Sequence, residues 1–182
     1  MSYLAPIFQI LLALMVIVAA VYDFRFRRIP NWLTLSGVIL GFGLNVFLFE
    51  MAGLRMAAFG LGLAFLVYFP LYLLRGMGAG DVKLMGAVGS IVGPANWFGI
   101  FVLTSVFGGL VALTLVLFKG RLLRTLSNVG YMLKEILYLR APYMKKEELD
   151  VRSSKGVKLP HGAMIALGSL AFLVAAAIWA PR

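Results

Sequence analysis

Cysteine is absent from this chain, and histidine occurs once, at position 161. The first absence excludes disulfides, thiolate zinc sites and cysteine nucleophiles. The second excludes HExxH and every other multi-histidine metal site, and no cofactor is expected. Charge is scarce too: 13% of the 182 residues are charged and 62% are hydrophobic, where a soluble domain carries about a quarter charged and half apolar. So few polar side chains cannot cover a globule, and lipid must solvate much of the surface.

Acidic residues number only seven, against seventeen lysines and arginines, for a net charge of +10. On a soluble protein that excess would raise nucleic-acid binding. Here the cations lie between apolar stretches, as topology signals do, so nucleic acid is not expected as a partner. The apolar N-terminus lacks a basic region and is followed by an acidic residue, not by a small-residue cleavage site. It reads as a retained first span.

The apolar stretches are Leu4 to Tyr22, Leu33 to Phe49, Met56 to Leu74, Val82 to Val92, Trp97 to Phe118 and Ala163 to Ala180. Val82 to Val92 is short and ends at Gly93-Pro94, so it could cross or re-enter. Charge decides: if it crosses, only Arg55 and Arg182 fall opposite the other cations, as the positive-inside rule requires. The expectation is an all-α, polytopic membrane protein of one domain, 1–182. It has six transmembrane helices, both termini outside, and a cytoplasmic amphipathic segment within 119–160. Leu122, Leu126, Val129, Leu133, Ile136 and Leu137 recur there at helical spacing, which suits anionic lipid at the headgroup level. Lys145 to Lys158 lacks periodicity and reads as a loop. Gly60, Gly62, Gly86, Gly89, Gly108 and Gly109 are expected to permit close helix packing. Trp32, Trp97 and Trp179, near span ends, read as interface anchors.

The acidic residues are the most informative. Glu135, Glu147, Glu148 and Asp150 read as a solvated face, and Glu50 as a cap at the opposite surface. Asp23 and Asp81 remain. One ends the first span going inward and the other begins the fourth going outward, so topology puts both at the cytoplasmic edge. Two close carboxylates cannot both ionise cheaply and share a proton. The ionised one can then activate water while the protonated one polarises a peptide carbonyl. Gly78 and Gly80, lacking Cβ atoms, let a substrate strand approach the segment before Asp81. The structural reading of the same residues is a topology flank and a helix N-cap. Lys83 is a candidate modulator of Asp81, although residues two apart on a helix face apart, and snorkelling to headgroups is its simpler role. His161 reads as an interfacial residue, since no nucleophile-elbow pattern surrounds any serine.

Asp23 with Arg27-Arg28-Ile29-Pro30-Asn31-Trp32, and Gly78-Ala79-Gly80-Asp81-Val82-Lys83-Leu84, together resemble the type IV prepilin peptidase family of GxGD membrane aspartic peptidases. The resemblance implies that Asp23 and Asp81 are catalytic, that Gly78 and Gly80 shape the active-site segment, and that no metal is needed. It implies a prepilin or pseudopilin substrate, cut after a glycine at the cytoplasmic face of the inner membrane. Larger members carry a cysteine-rich zinc domain and methylate the new N-terminus. Without cysteine this chain is not expected to do so, and it looks more like the short stand-alone peptidases of tight-adherence pili. The alternatives are a preflagellin-type peptidase, an ion-coupled or small-solute transporter using the two aspartates, and a non-catalytic scaffold. The oligomeric state is not legible.

Overall fold

The structure, a computed structural model, describes residues 4–120, 122–138 and 160–179. It is all-α, with no strand among the described residues: α1 (Pro6–Phe26), α2 (Asn31–Leu73), α3 (Ala79–Phe118), α4 (Leu122–Leu137) and α5 (His161–Trp179). The stretch read as a loop, 145–158, with Glu147, Glu148 and Asp150, lies outside the described residues.

Four helices, α1, α2, α3 and α5, are long and apolar enough to cross a membrane. The expectation was six spans; two of these four helices, α2 and α3, break and reverse along their length. Straight, the 43 residues of α2 would reach about 65 Å. Its backbone leaves helical values at Glu50 (φ 51°, ψ −129°). Gly41, before that break, packs against Ser90 and Ile91, and Gly60, after it, packs against Gly89. Both arms thus reach the same level of α3, and α2 is a hairpin.

α3 folds back at Gly93 (φ 73°, ψ 172°). Glycine tolerates that positive φ, a residue before proline is pushed out of the helical region, and Pro94 starts the second arm with its φ preset. The indole Nε1 of Trp97 donates to the Met85 carbonyl at 3.1 Å, atoms that a straight helix would hold about 18 Å apart. Trp97 is accordingly fully buried, a correction to its reading as an interface anchor: the fold-back turns it into the core. Trp32 is exposed.

The first arm of α3 is the centre of the molecule, with every residue from 84 to 93 buried. The two arms of α2 wrap it. Gly60 and Gly89 meet backbone to backbone, and a Cβ on Gly86 would stand 3.0 Å from the Phe65 ring. Gly62, Gly108 and Gly109 differ from the packing expectation: nothing lies within 4 Å of their Cβ positions, so no neighbouring helix is in contact there. One polar bridge crosses this core. Pro94 has no N–H for the Ser90 carbonyl, and Asn45 Nδ2 donates to Ser90 O at 3.0 Å and to Ile91 O at 3.2 Å instead.

The outer surface stays apolar, with Phe47, Leu66 and Phe118 each more than two-thirds exposed, as expected of a surface that meets lipid. Leu122, Leu123, Leu126 and Val129 of α4 are exposed as well. Glu135, expected on a solvated face, is buried beside Tyr131 one turn earlier on the same helix.

Candidate active site

Asp23 lies in the last turn of α1. The helix stops when Arg27 takes a left-handed conformation and caps the Asp23 carbonyl through its N–H at 2.9 Å. Pro30 then starts α2, its carbonyl accepting from Leu33 N. The result is a tight turn at residues 27–30, and Asp23 is 8% exposed beside it.

Asp81 occupies the first turn of α3, after Gly78 at the N-cap. Its carboxylate accepts a hydrogen bond from the Gly78 N–H, the reach-back of a capping box. The two glycines of Gly78-Ala79-Gly80-Asp81 sit where a side chain would crowd the site. A Cβ on Gly78 would come 3.1 Å from Asp81 Oδ2, and one on Gly80 would come 3.2 Å from Ile29 Cβ.

Folding brings these distant segments to one end of the bundle. Asp81 is within electrostatic range of both Asp23 and His161. The backbone N–H of Gly162 donates to Asp23 Oδ2 at 2.9 Å. The carboxylates therefore sit at the N-termini of α3 and α5, the positive ends of two helix dipoles, which favour negative charge. Tyr68, buried on α2, faces the charge of Asp81. Lys83 is exposed, and its ammonium donates to Asn31 Oδ1 at 2.9 Å, tying the head of α3 to that of α2. Among the described residues no cluster of three or more His, Asp or Glu could hold a metal.

Sequence reasoning missed four neighbours of the pair: Ile29, Tyr68, His161 and Gly162. A signal was available for two of them. Pro160-His161-Gly162 opens the last apolar stretch at the membrane edge that the charge count already assigned to the aspartates.

A groove of about 410 Å³ runs from this cluster along the second arm of α3, lined by Met77, His161, Phe101, Thr104, Gly108 and Gly109 among others. Tyr68 meets Trp97 and Phe101 edge-on at 6.1 and 5.9 Å, and Trp97 stacks on Phe101 at 5.5 Å, which makes one wall aromatic and stiff.

Residues 10–113 match the model of the type IV leader peptidase family. That is more than half of the chain. The match includes Asp23, the turn at 27–30 and the segment 78–81, and stops short of α5. Comparison with curated proteins and with solved structures gave no match. The two motifs, held among helices able to cross a bilayer, lie inside the matched region: the chain belongs to the type IV leader peptidase family and is a membrane-embedded peptidase.

Proposed function

We propose that the chain is an aspartic leader peptidase of the GxGD type, with Asp23 and Asp81 as the catalytic pair. The observation that carries this reading is the convergence of the two aspartates, 58 positions apart in sequence, at one end of the bundle and at two helix N-termini. In the reaction, the ionised carboxylate takes a proton from water and the oxygen adds to the scissile carbonyl. The protonated carboxyl gives its proton to the carbonyl oxygen. The tetrahedral intermediate then collapses as the C–N bond breaks: the first carboxyl gives the water proton to the leaving amine, and the second carboxylate takes a proton back from a hydroxyl of the intermediate as the carbonyl re-forms. The pair ends with one proton, as it began.

The substrate is a prepilin or pseudopilin, cut after the glycine that ends its short basic leader. Six arms cross the inner membrane, with the site at the cytoplasmic face; the breaks at Glu50 and Gly93 and the positive-inside distribution of Lys and Arg support this reading. The apolar helix that follows the scissile bond docks in the groove beside Gly108 and Gly109, and extended backbone reaches the aspartates past Gly78 and Gly80. Basic segments orient the protein and bind anionic lipid; they do not attract a basic leader.

The test is lipid-reconstituted protein mixed with a leader-bearing prepilin, with Asp23→Asn and Asp81→Asn alongside, read by mass spectrometry. Cleavage after a glycine by the parent, abolished in each variant, is the expected result. Cleavage that survives either substitution would refute the pair.

A further inference from the structure

The helices that carry the two aspartates, α1 and α3, scarcely touch each other, whereas α5 packs along both. The geometry of the pair must therefore be set through α5, and its first two residues stand at the site. Gly162 lies in the opening turn, where helix N–H groups have no partner within the helix. Ala163 and Met164 donate to the Pro160 carbonyl, and Gly162 donates to Asp23 Oδ2 at 2.9 Å in a buried bond. Asp23 of α1 is thus the cap of α5. A Cβ on residue 162 would stand 3.1 Å from Asp23 Cβ, from Asp23 Oδ2 and from Ile29 Cδ1. Ile29 in turn lies against Gly80, so the contact chain runs from α5 to the segment that precedes Asp81. His161, the sole histidine, lines the groove with Met77 and faces the charge of Asp81.

We infer that His161 and Gly162 are positioning residues for the aspartate pair: the Gly162 N–H holds the Asp23 carboxylate in place, and the His161 side chain, next to it at the head of α5 and in the groove, sets the electrostatic surroundings of Asp81. This rests on the peptidase reading and adds to it a segment outside the region that matches the family model. Among the described residues, Asp81 of α3 is within electrostatic range of His161, Tyr68 of α2 lines the same groove, and Asp23 of α1 is bonded to the next residue, Gly162.

The experiment compares parent, Gly162→Ala, Gly162→Ala with Ile29→Val, Ile29→Val alone, and His161→Gln, each lipid-reconstituted, for kcat and KM on one prepilin across pH. Gly162→Ala should lower kcat by roughly tenfold with KM unchanged, since its Cβ moves Asp23 by a fraction of an ångström and a displacement of about 1 Å costs about a hundredfold. Adding Ile29→Val removes one of the three crowding atoms and should restore part of the loss. His161→Gln should displace the pH–rate profile of kcat/KM. Parent-level kcat in Gly162→Ala overturns the clamp. A pH profile in His161→Gln that superimposes on the parent's overturns the charge role, and it decides the inference alone should Gly162→Ala not fold. A parent that cleaves nothing would instead sink the peptidase reading on which the inference stands.

Discussion

Asn45 offers the sharpest test of how the core is held. Its side chain is 2% exposed and donates to three carbonyls: Gly41 in its own helix at 2.9 Å, Ser90 at 3.0 Å and Ile91 at 3.2 Å. The intrahelical bond adds little, because the Gly41 carbonyl already has its helical partner. The other two lie where α3 breaks, and Ser90 has no alternative because residue 94 is proline. Replacing Asn45 by leucine keeps the number and branching of the heavy atoms and removes the donor. Interhelical hydrogen bonds in membranes contribute about 0.6 kcal/mol on average and at most about 1.7, so two give roughly 1 to 3 kcal/mol. A buried carbonyl left without any donor costs about 1 to 3 kcal/mol by the independent reckoning from soluble proteins. The two agree, and the expected loss for Asn45→Leu is about 2 kcal/mol. Reversible unfolding in bicelles, followed by tryptophan fluorescence with Trp97 as the buried reporter, would measure it. A loss below about 0.5 kcal/mol, the level of an ordinary surface substitution, would refute the claim that Asn45 substitutes for the missing Pro94 N–H.

Other substitutions separate packing from function. Gly60→Val should destabilise by about 1 to 3 kcal/mol through overpacking against the Gly89 backbone, while Gly62→Ala, with open space around it, should not; melting temperatures would show the difference. Gly108→Leu should raise KM for a prepilin by roughly tenfold without lowering the melting temperature, because its surroundings are open groove; unchanged KM would displace the substrate helix from that groove. Trp97→Phe keeps a ring in the core and loses the bond to the Met85 carbonyl, for about 1 kcal/mol in the same unfolding assay. Lys83→Met removes only an exposed contact with Asn31 and should cost under about 1 kcal/mol, with cleavage at the parent level. A lost cleavage rate would make Lys83 a modulator of Asp81.

Much of this was legible in the sequence, and the reasons are local. An apolar stretch long enough to cross lipid must be helical, because lipid offers the backbone no hydrogen bonds. Gly93-Pro94 and the polar residues after Phe49 mark breaks by their own chemistry, so helix content and the two reversals follow from short-range rules. The two aspartates stood out because carboxylates are rare in such a chain and these two lie at span ends on one side. Trp97 misled because a tryptophan near a span end looks the same whether the next turn faces lipid or folds back onto Met85. Gly108 and Gly109 misled similarly, since a glycine in a helix shows nothing of whether a neighbour or a groove lies against it.

The sequence by itself determined that this is a helical membrane protein with a pair of acids at one edge, because apolar run length, scarcity of charge and motif spacing are properties of the chain read in order. Tertiary structure alone decided that α1 and α3 meet through α5, that Gly162 caps its helix on Asp23, and that Asn45 serves carbonyls 45 and 46 positions away. Those contacts join segments whose separation along the chain carries no local signal, and they exist only once the hairpins of α2 and α3 have folded back on each other.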